Sequence, residues 1–471
     1  MAAERAGIPS VSIVTTGFLG QAQGVAQGQG IPNLAVAEYP GVIMTHSKDE
    51  LSEKVERVLI DNIIRGLTSP LQAAKKPEEP GLKDIMFKGD LYDVNEFFIN
   101  RQWSDGLPII PPTVEKAEEF LRFTERNPGE VIGVLLPESR EATVWNIAVN
   151  GLMAGCRPEY MPLLIAAVEA IAEPEFRIQD AGSTPGWEPL IILNGPVIKD
   201  LNFNYESGVM RAGRQANTSV GRFLRLYMRN VAGLRIPPGK TDKGCFAATF
   251  NMVLAENEDE VSRFGWGPFS TDRGFRINDN VVTVQSVVFA SAPTYSGGSS
   301  PVDHMKTIAE IIGFRAMVNW IFFTLNWGKS YPLLVMSPSI AEVIAKAGWT
   351  KDDIRHYLRE NVKVRAKLVE ELAWQAGLSN FSLCSLVDEG ILPQEYCESS
   401  DPDREVPVFL RPDWIGIVVS GDPGRNQSRG YIQNHEQGPP ISKKILLPAD
   451  WEQMLKRTRR EPRQDFKANK T

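Results

Sequence analysis

The chain has 471 residues, 42% of them hydrophobic and 23% charged, with a formal net charge of -7. That length supplies two or three packed cores of a globular protein, and the acidic balance excludes a general nucleic-acid surface, which needs clustered Lys and Arg. The longest apolar runs, LLIAAVEAIA and MVNWIFFTLNW, are too short or too interrupted for a membrane span, and MAAERAGIPS lacks a leader pattern, so a soluble, cytoplasmic protein is expected.

The order of residues suggests a mixed α/β (α+β) protein with a small first module. IPSVSIVTT, GFLGQAQGVAQGQG and IPNLAVAEYP read as strand, helix and strand, a unit that builds parallel sheets. DELSEKVERVLIDNIIRGL follows, with Val55, Val58, Leu59, Ile63 and Ile64 as one apolar stripe of a helix. Two strands do not close a sheet core. Further strands come either from the main domain or from a partner subunit. We take residues 1–76 as this module, 77–90 as a Pro-rich charged linker, 91–456 as a large mixed domain and 457–471 as a basic, solvated tail.

Within the large domain, 3.6-residue periodicity predicts helices over Val114 to Phe123, Thr143 to Met153, Glu159 to Ala172, Val220 to Asn230, Val302 to Phe323, Ser339 to Ala347 and Lys351 to Glu360. PLIILNGPV, NDNVVTVQSVVFA, PLLVMS and WIGIVVSGD read as strands. Cys156, Cys245, Cys384 and Cys397 form no Cys-x-x-Cys pair, and the four histidines form no His-x-x-x-His pair. Reduced thiols and no zinc or histidine-rich metal centre are therefore expected; a carboxylate-held metal is left open, and no cofactor is expected.

Five segments could carry chemistry. In AGCRPEYMP, Pro158 suits the first turn of a helix, leaving Cys156 and Arg157 at its N-terminus. Helix amides and an adjacent guanidinium favour a thiolate or a bound anion there; the plainer reading makes Cys156 a packed residue and Arg157 a surface cap. In AGRQANTSVGRFLRLYMRN, Gly213 and Gly221 bracket the capping residues Asn217, Thr218 and Ser219, while Arg214, Arg222 and Arg225 supply positive charge. That is either an anion site or a turn with salt bridges. RQWSDGLPIIPPT presents Trp103 and Asp105 on a stiffened turn, to a pocket or as a domain-edge clamp. In GGSSPVDHMKTIAEII, His304 falls in a first helical turn, where the dipole favours the neutral imidazole, a base or an incidental surface histidine. IVVSGDPGRNQSRG runs a strand into a turn with Gly421, Gly424, Gly430, Arg425 and Arg429, a position that commonly lines the crevice of α/β folds.

Taken together, AGCRPEYMP, LNGPV, ANTSVGR, WSDGLPIIPPT and the N-terminal AGIPSVSIVTTGF and IPNLAVAEYPGV resemble the UGSC family, named for a selenocysteine or cysteine Gly-Ser-Cys motif. The family's motif strand, directly upstream of the segment matching Arg5 to Val42, has no counterpart here. The resemblance therefore implies thiol or selenol redox chemistry only if another polypeptide supplies that strand. Two-subunit proteins of similar appearance, such as 2,4-dinitroanisole demethylase, imply hydrolytic O-demethylation of a nitroaromatic ether.

The expectation is one subunit of a hetero-oligomeric, cofactor-independent hydrolase acting on a small activated substrate. Water attack on an electron-poor ring needs a base, positive charge and an apolar wall. Arg157 and Arg222 would stabilise charge, with Asn217, Arg214 and Trp103 in substrate binding. Asp105, Glu159 or His304 would activate water, and Cys156 is the alternative nucleophile. The rival readings are a redox enzyme with its motif on a partner and a non-catalytic binding subunit.

Overall fold

The computed structural model describes residues 2–28, 31, 33–69, 81–180, 186–235, 244, 251–311, 325, 331–375, 377–378, 380–434 and 437–458. Near the N-terminus, Ser12–Thr15 (β1) and Val36–Tyr39 (β2) pair in parallel, Ser12 opposite Val36 and Thr15 opposite Tyr39. Leu19–Gly28 (α1) connects them, as the strand-helix-strand pattern requires. A capping box between Ser47 and Glu50 starts the next helical segment, which passes through a π turn at Val55–Leu59 into Ile60–Thr68 (α2). Its inward stripe is narrower than predicted. Leu51, Val55, Leu59 and Ile63, four residues apart, close on Ala37 and Tyr39, whereas Val58 and Ile64 face solvent, 38% and 54% exposed. The module therefore has a very small core, and Ile13 at the middle of β1 is 54% exposed.

The predicted boundary near Lys76 lies outside the described residues. The body begins with Leu91–Asn100 (α3), a helix that the sequence reading missed, opened by a capping box between Asp90 and Asp93. Val144–Met153 (α4), Met161–Ala172 (α5) and Gln215–Tyr227 (α6) follow. α6 starts five residues before the predicted Val220, because the backbone is extended only as far as Arg214. Pro301–Ile311 (α7) covers the first half of the predicted Val302 to Phe323 helix; the second half lies outside the described residues.

The main sheet is mixed. Glu188–Asn194 (β3), Val253–Ala255 (β4), Val281–Ala290 (β5), Leu333–Met336 (β6), Gly416–Val419 (β7) and Gln427–Gln433 (β8) run in the spatial order β7-β6-β8-β5-β3-β4. β7 and β6 are parallel, as are β3 and β4; the pairs through β8 and β5 are antiparallel. The two end strands then meet at their carboxyl ends. The Asn257 amide donates to the Val419 carbonyl at 2.8 Å, and the Ser420 hydroxyl donates to the Ala255 carbonyl at 2.7 Å.

This curling creates an inside and two outsides. Because successive strand residues face opposite ways, Leu190, Ile192, Leu254, Val287, Leu333, Val418 and Tyr431 share one interior cluster. Their neighbours Ile191, Leu193, Val253 and Val282 pack outward beneath α4, α5 and α6. Leu334, Met336, Ile417 and Val419 pack outward beneath α7 and the helix Lys351–Asn361. Every residue of β3 is buried, which explains its unbroken apolar run.

Candidate functional site

Three of the five predicted segments converge around α6. The Gln215 side-chain amide donates to the Gly155 carbonyl at 3.1 Å, the Ile110 amide to the Met153 carbonyl at 3.3 Å, and Arg222 reaches Asp105. Beside this junction lies a hollow of about 400 Å³ lined by Arg157, Glu159, Tyr160, Lys199, Asp200, Asn202 and Gln215, with Leu201, Ala216 and Leu455 as its apolar part.

Local structure explains how the first motif reaches it. Arg157 is extended and caps a short 3-10 turn, Pro158–Tyr160, with Pro158 in the first position as the sequence suggested; α5 continues from there. Glu159 is thereby turned inward, with only 7% of its side chain exposed, while Arg157 keeps 42%. Nε of Arg157 lies 2.6 Å from Oε1 of Glu159. A guanidinium has five N–H donors, and the exposure of this one leaves part of it turned to the hollow. Lys199 pairs with Asp259 at 2.6 Å, and that hydrogen bond raises the ammonium pKa. Burial, reinforced by the charge of Glu159, raises the Tyr160 hydroxyl pKa, so Tyr160 stays protonated at neutral pH. Arg214 donates to Oδ1 of Asn202 at 3.0 Å, at the rim.

Arg222 does not belong to this hollow, so the expected convergence of Arg157 and Arg222 on one cavity is corrected. Its Nε and Nη2 donate to the two carboxylate oxygens of Asp105, both at 2.8 Å, and Nη2 also donates to the Pro108 carbonyl at 2.9 Å. Burial disfavours the Asp105 carboxylate, but the hydrogen bonds and charge of Arg222 outweigh it and hold the pKa below the ordinary value. Asp105 is thus an anchor with both oxygens engaged, not a base. Trp103 serves the same clamp. It stands edge-on to Phe97 and Phe98 at 5.8 and 5.6 Å, and its carbonyl accepts from Asn230 at 3.0 Å.

Asn217 is fully buried. Its Oδ1 accepts from the Asn204 amide at 2.7 Å and its Nδ2 donates to the Asn204 and Val253 carbonyls, both at 2.9 Å. It ties α6 to β4, and its carbonyl and amide are engaged within the fold rather than turned to the hollow. Gly221, expected beside an anion site, answers a packing demand instead. A Cβ there would lie 2.2 Å from the backbone of Asn251 and Met252, so only glycine lets α6 approach the entry to β4.

Cys156 and His304 also change role. Cys156 is 6% exposed within the core under α4, α5 and α6. Burial pushes its thiol up to about 12, despite a hydrogen bond from Ser219 and the charge of Arg222. Depth outweighs the helix end, and the thiolate expectation fails. His304 does sit in the first turn of α7 but is fully buried. Its Nδ1 meets the Ser296 hydroxyl at 2.8 Å and its Nε2 the Gly298 carbonyl at 3.2 Å. Both ring nitrogens are engaged inside the second core, away from solvent.

The fifth segment is not one glycine-rich loop: Gly430 and Arg429 are in β8. The turn before them rests on the 205 loop through the Gly421 amide and the Tyr205 carbonyl, 3.1 Å apart. Cys384 and Cys397 are disulfide-bonded, which corrects the expectation of reduced thiols; Cys245 lies outside the described residues. Sequence reasoning missed Lys199, Asp200 and Asn202. Their signal was the left-handed Asn202, φ 59°, just after the short helix Val197–Asp200 that follows LNGPV.

Among the described residues no group of three or more His, Cys, Asp or Glu side chains is arranged to hold a metal ion, and no helix is long and apolar enough to cross a membrane. None of the curated proteins compared with the chain matches it. Residues 1–69 match the model of the UGSC family, and the match lies wholly within the N-terminal module.

Proposed function

We propose that this chain is a cytoplasmic subunit of a hetero-oligomeric, cofactor-independent hydrolase that cleaves a small activated substrate, with O-demethylation of a nitroaromatic ether as the first reaction to assay. The observation that carries the reading is the inward carboxylate of Glu159, 2.6 Å from the half-exposed Arg157, on the wall of a hollow that Lys199 also lines.

In this scheme Glu159 takes a proton from water as the oxygen bonds to the electron-poor ring carbon. Arg157 and Lys199 face the negative charge that spreads into the ring and its nitro groups, where fixed cations lower the barrier most. The carbon–methoxy bond then breaks, Glu159 returns the proton to the leaving oxygen, and methanol and a nitrophenolate result. The lining is largely polar, so the ring would rest on Leu201, Leu455 and the face of Tyr160. The second subunit would add strands beside β1 and β2, which alone make a marginal sheet.

The test is co-purification with the partner, followed by assay of nitroaryl ethers and simple esters in heavy-oxygen water. Label in the phenolate is expected, and Glu159→Gln should lower kcat by about a hundredfold, the size of a general-base contribution. Failure of the chain, alone and with its partner, to turn over any of these compounds would sink the reading.

A further inference from the structure

The Cys384–Cys397 disulfide stands apart from the hollow and from every residue given a role above. Cys384 lies in the helix Leu383–Asp388 and Cys397 ends the 3-10 helix Gln394–Cys397. The two are 13 residues apart, with their Cα atoms 5.1 Å from each other. Both cysteines are half-buried, and their neighbours Ser385 and Glu398 are exposed, so a small thiol can reach the bond. The third described cysteine, Cys156, is sealed in the core.

The surroundings of the two sulfurs differ in charge. Arg404 places Nη2 3.6 Å from the Cys384 sulfur. The guanidinium is held there by its own donations, Nε to the Tyr396 carbonyl at 3.0 Å and Nη1 to the Asp401 carbonyl at 3.2 Å. Glu370 lies 4.0 Å from Nη2 and so offsets part of that charge, but Glu370 is itself held by the Leu383 amide at 3.0 Å. Cys397 is flanked in sequence by Glu395 and Glu398. Glu395 is engaged by Arg359, which leaves the negative Glu398 next to Cys397. A thiolate is therefore stabilised at Cys384 and disfavoured at Cys397.

We propose that this disulfide is a thiol–disulfide exchange site with a fixed polarity, open to small thiols and dithiols. The attacking thiolate bonds to the Cys397 sulfur, the S–S bond breaks, and Cys384 leaves as the thiolate facing Arg404. The product is a mixed disulfide on Cys397. A second thiol then attacks the reagent sulfur of that mixed disulfide and releases the Cys397 thiolate, which takes a proton. The reagent thiols end as their own disulfide, having supplied the two electrons, and the protein gains two thiols. Polarity follows because the sulfur with the better-stabilised thiolate is the better leaving group. Opening the bond frees the 3-10 helix from the helix Leu383–Asp388, while Tyr396, fully buried and bonded to the Pro407 carbonyl at 3.0 Å, keeps it seated on the core.

The experiment uses the full chain, purified without reductant. It is treated briefly with reduced glutathione, quenched in acid and mapped by peptide mass. The adduct on Cys397 should exceed that on Cys384 by about tenfold, the effect of one nearby charge on leaving-group ability. Arg404→Gln should bring the ratio close to one, and Arg404→Lys should keep most of the preference. A predominant adduct on Cys384, a ratio indifferent to Arg404→Gln, or free thiols at both positions in the untreated chain would overturn the proposal. Should Arg404→Gln fail to fold, the wild-type chain decides. After full reduction, iodoacetamide should alkylate Cys384 faster than Cys397, and an equal or reversed order refutes the assignment.

Discussion

Two arginine–carboxylate pairs from the same set of sequence motifs end in opposite situations. Arg222 and Asp105 meet through two parallel hydrogen bonds of 2.8 Å, with 17% and 15% of their side chains exposed, and the same guanidinium also closes on a backbone carbonyl. Arg157 and Glu159 share a contact of 2.6 Å, with the arginine 42% exposed beside a hollow. Residue type and motif do not separate them. What separates them is how far the guanidinium is engaged within the fold: Nε and Nη2 of Arg222 both bond to the 105–108 segment, whereas Arg157 meets Glu159 through Nε. A pair clamped between chain segments is a rivet, and the more open one keeps capacity for a ligand.

The comparison is most directly broken at the clamped pair. Arg222→Ala should cost about 2–4 kcal/mol, measured as the shift of a denaturant midpoint, because it strands a partly buried carboxylate; partial exposure holds the loss below that of a fully buried pair. Glu159→Gln should behave the other way, costing about 1 kcal/mol in stability while lowering turnover of the nitroaryl ether by about a hundredfold. If Arg222→Ala leaves stability intact, or Glu159→Gln unfolds the chain with no separate effect on turnover, the distinction fails.

Acid titration sharpens it further. The pKa of Asp105 is held below its unfolded value, so its contribution is complete above about pH 4, the ordinary range of an aspartate, and drains as pH falls through the lower folded value. The stability gap between wild type and Asp105→Asn, followed by denaturation from neutral pH downward, should narrow only in acid. A gap that widens in acid would contradict the clamp. The smallest effect is expected at the buried thiol. Cys156→Ala should cost about 1 kcal/mol, as a conservative core truncation, and leave turnover unchanged; loss of turnover in a well-folded variant would restore Cys156 as a nucleophile.

Much of the fold was legible because it is written locally. The apolar run at Leu190–Leu193, Thr143 before α4 and Pro158 before α5 are signals within a few positions of the elements they define. The site was legible only as segments. Arg222 finds Asp105 across 117 residues and Lys199 reaches Asp259 across 60, and no periodicity records which arginine will meet which carboxylate. Burial was the second hidden variable. The helix-end argument for Cys156 and the first-turn argument for His304 both placed the residue correctly along the chain, yet neither could say how deep it lies. Spacing also could not show that Cys384 and Cys397 pair, because what brings them together is the turn through Pro393 between two short helices.

The fastening of β4 to β7 has a consequence for how this molecule meets others. A sheet whose two end strands are fastened to each other presents fewer open amides and carbonyls there, and rows of such groups are what let one chain template another. Among the described residues margins of that kind remain on the N-terminal pair and on two further two-stranded ladders of the body, Val131–Leu135 with Arg140–Thr143 and Lys363–Arg365 with Glu405–Pro407. Association by strand addition, wanted or unwanted, is thereby shifted from the ends of the main sheet to these short ladders.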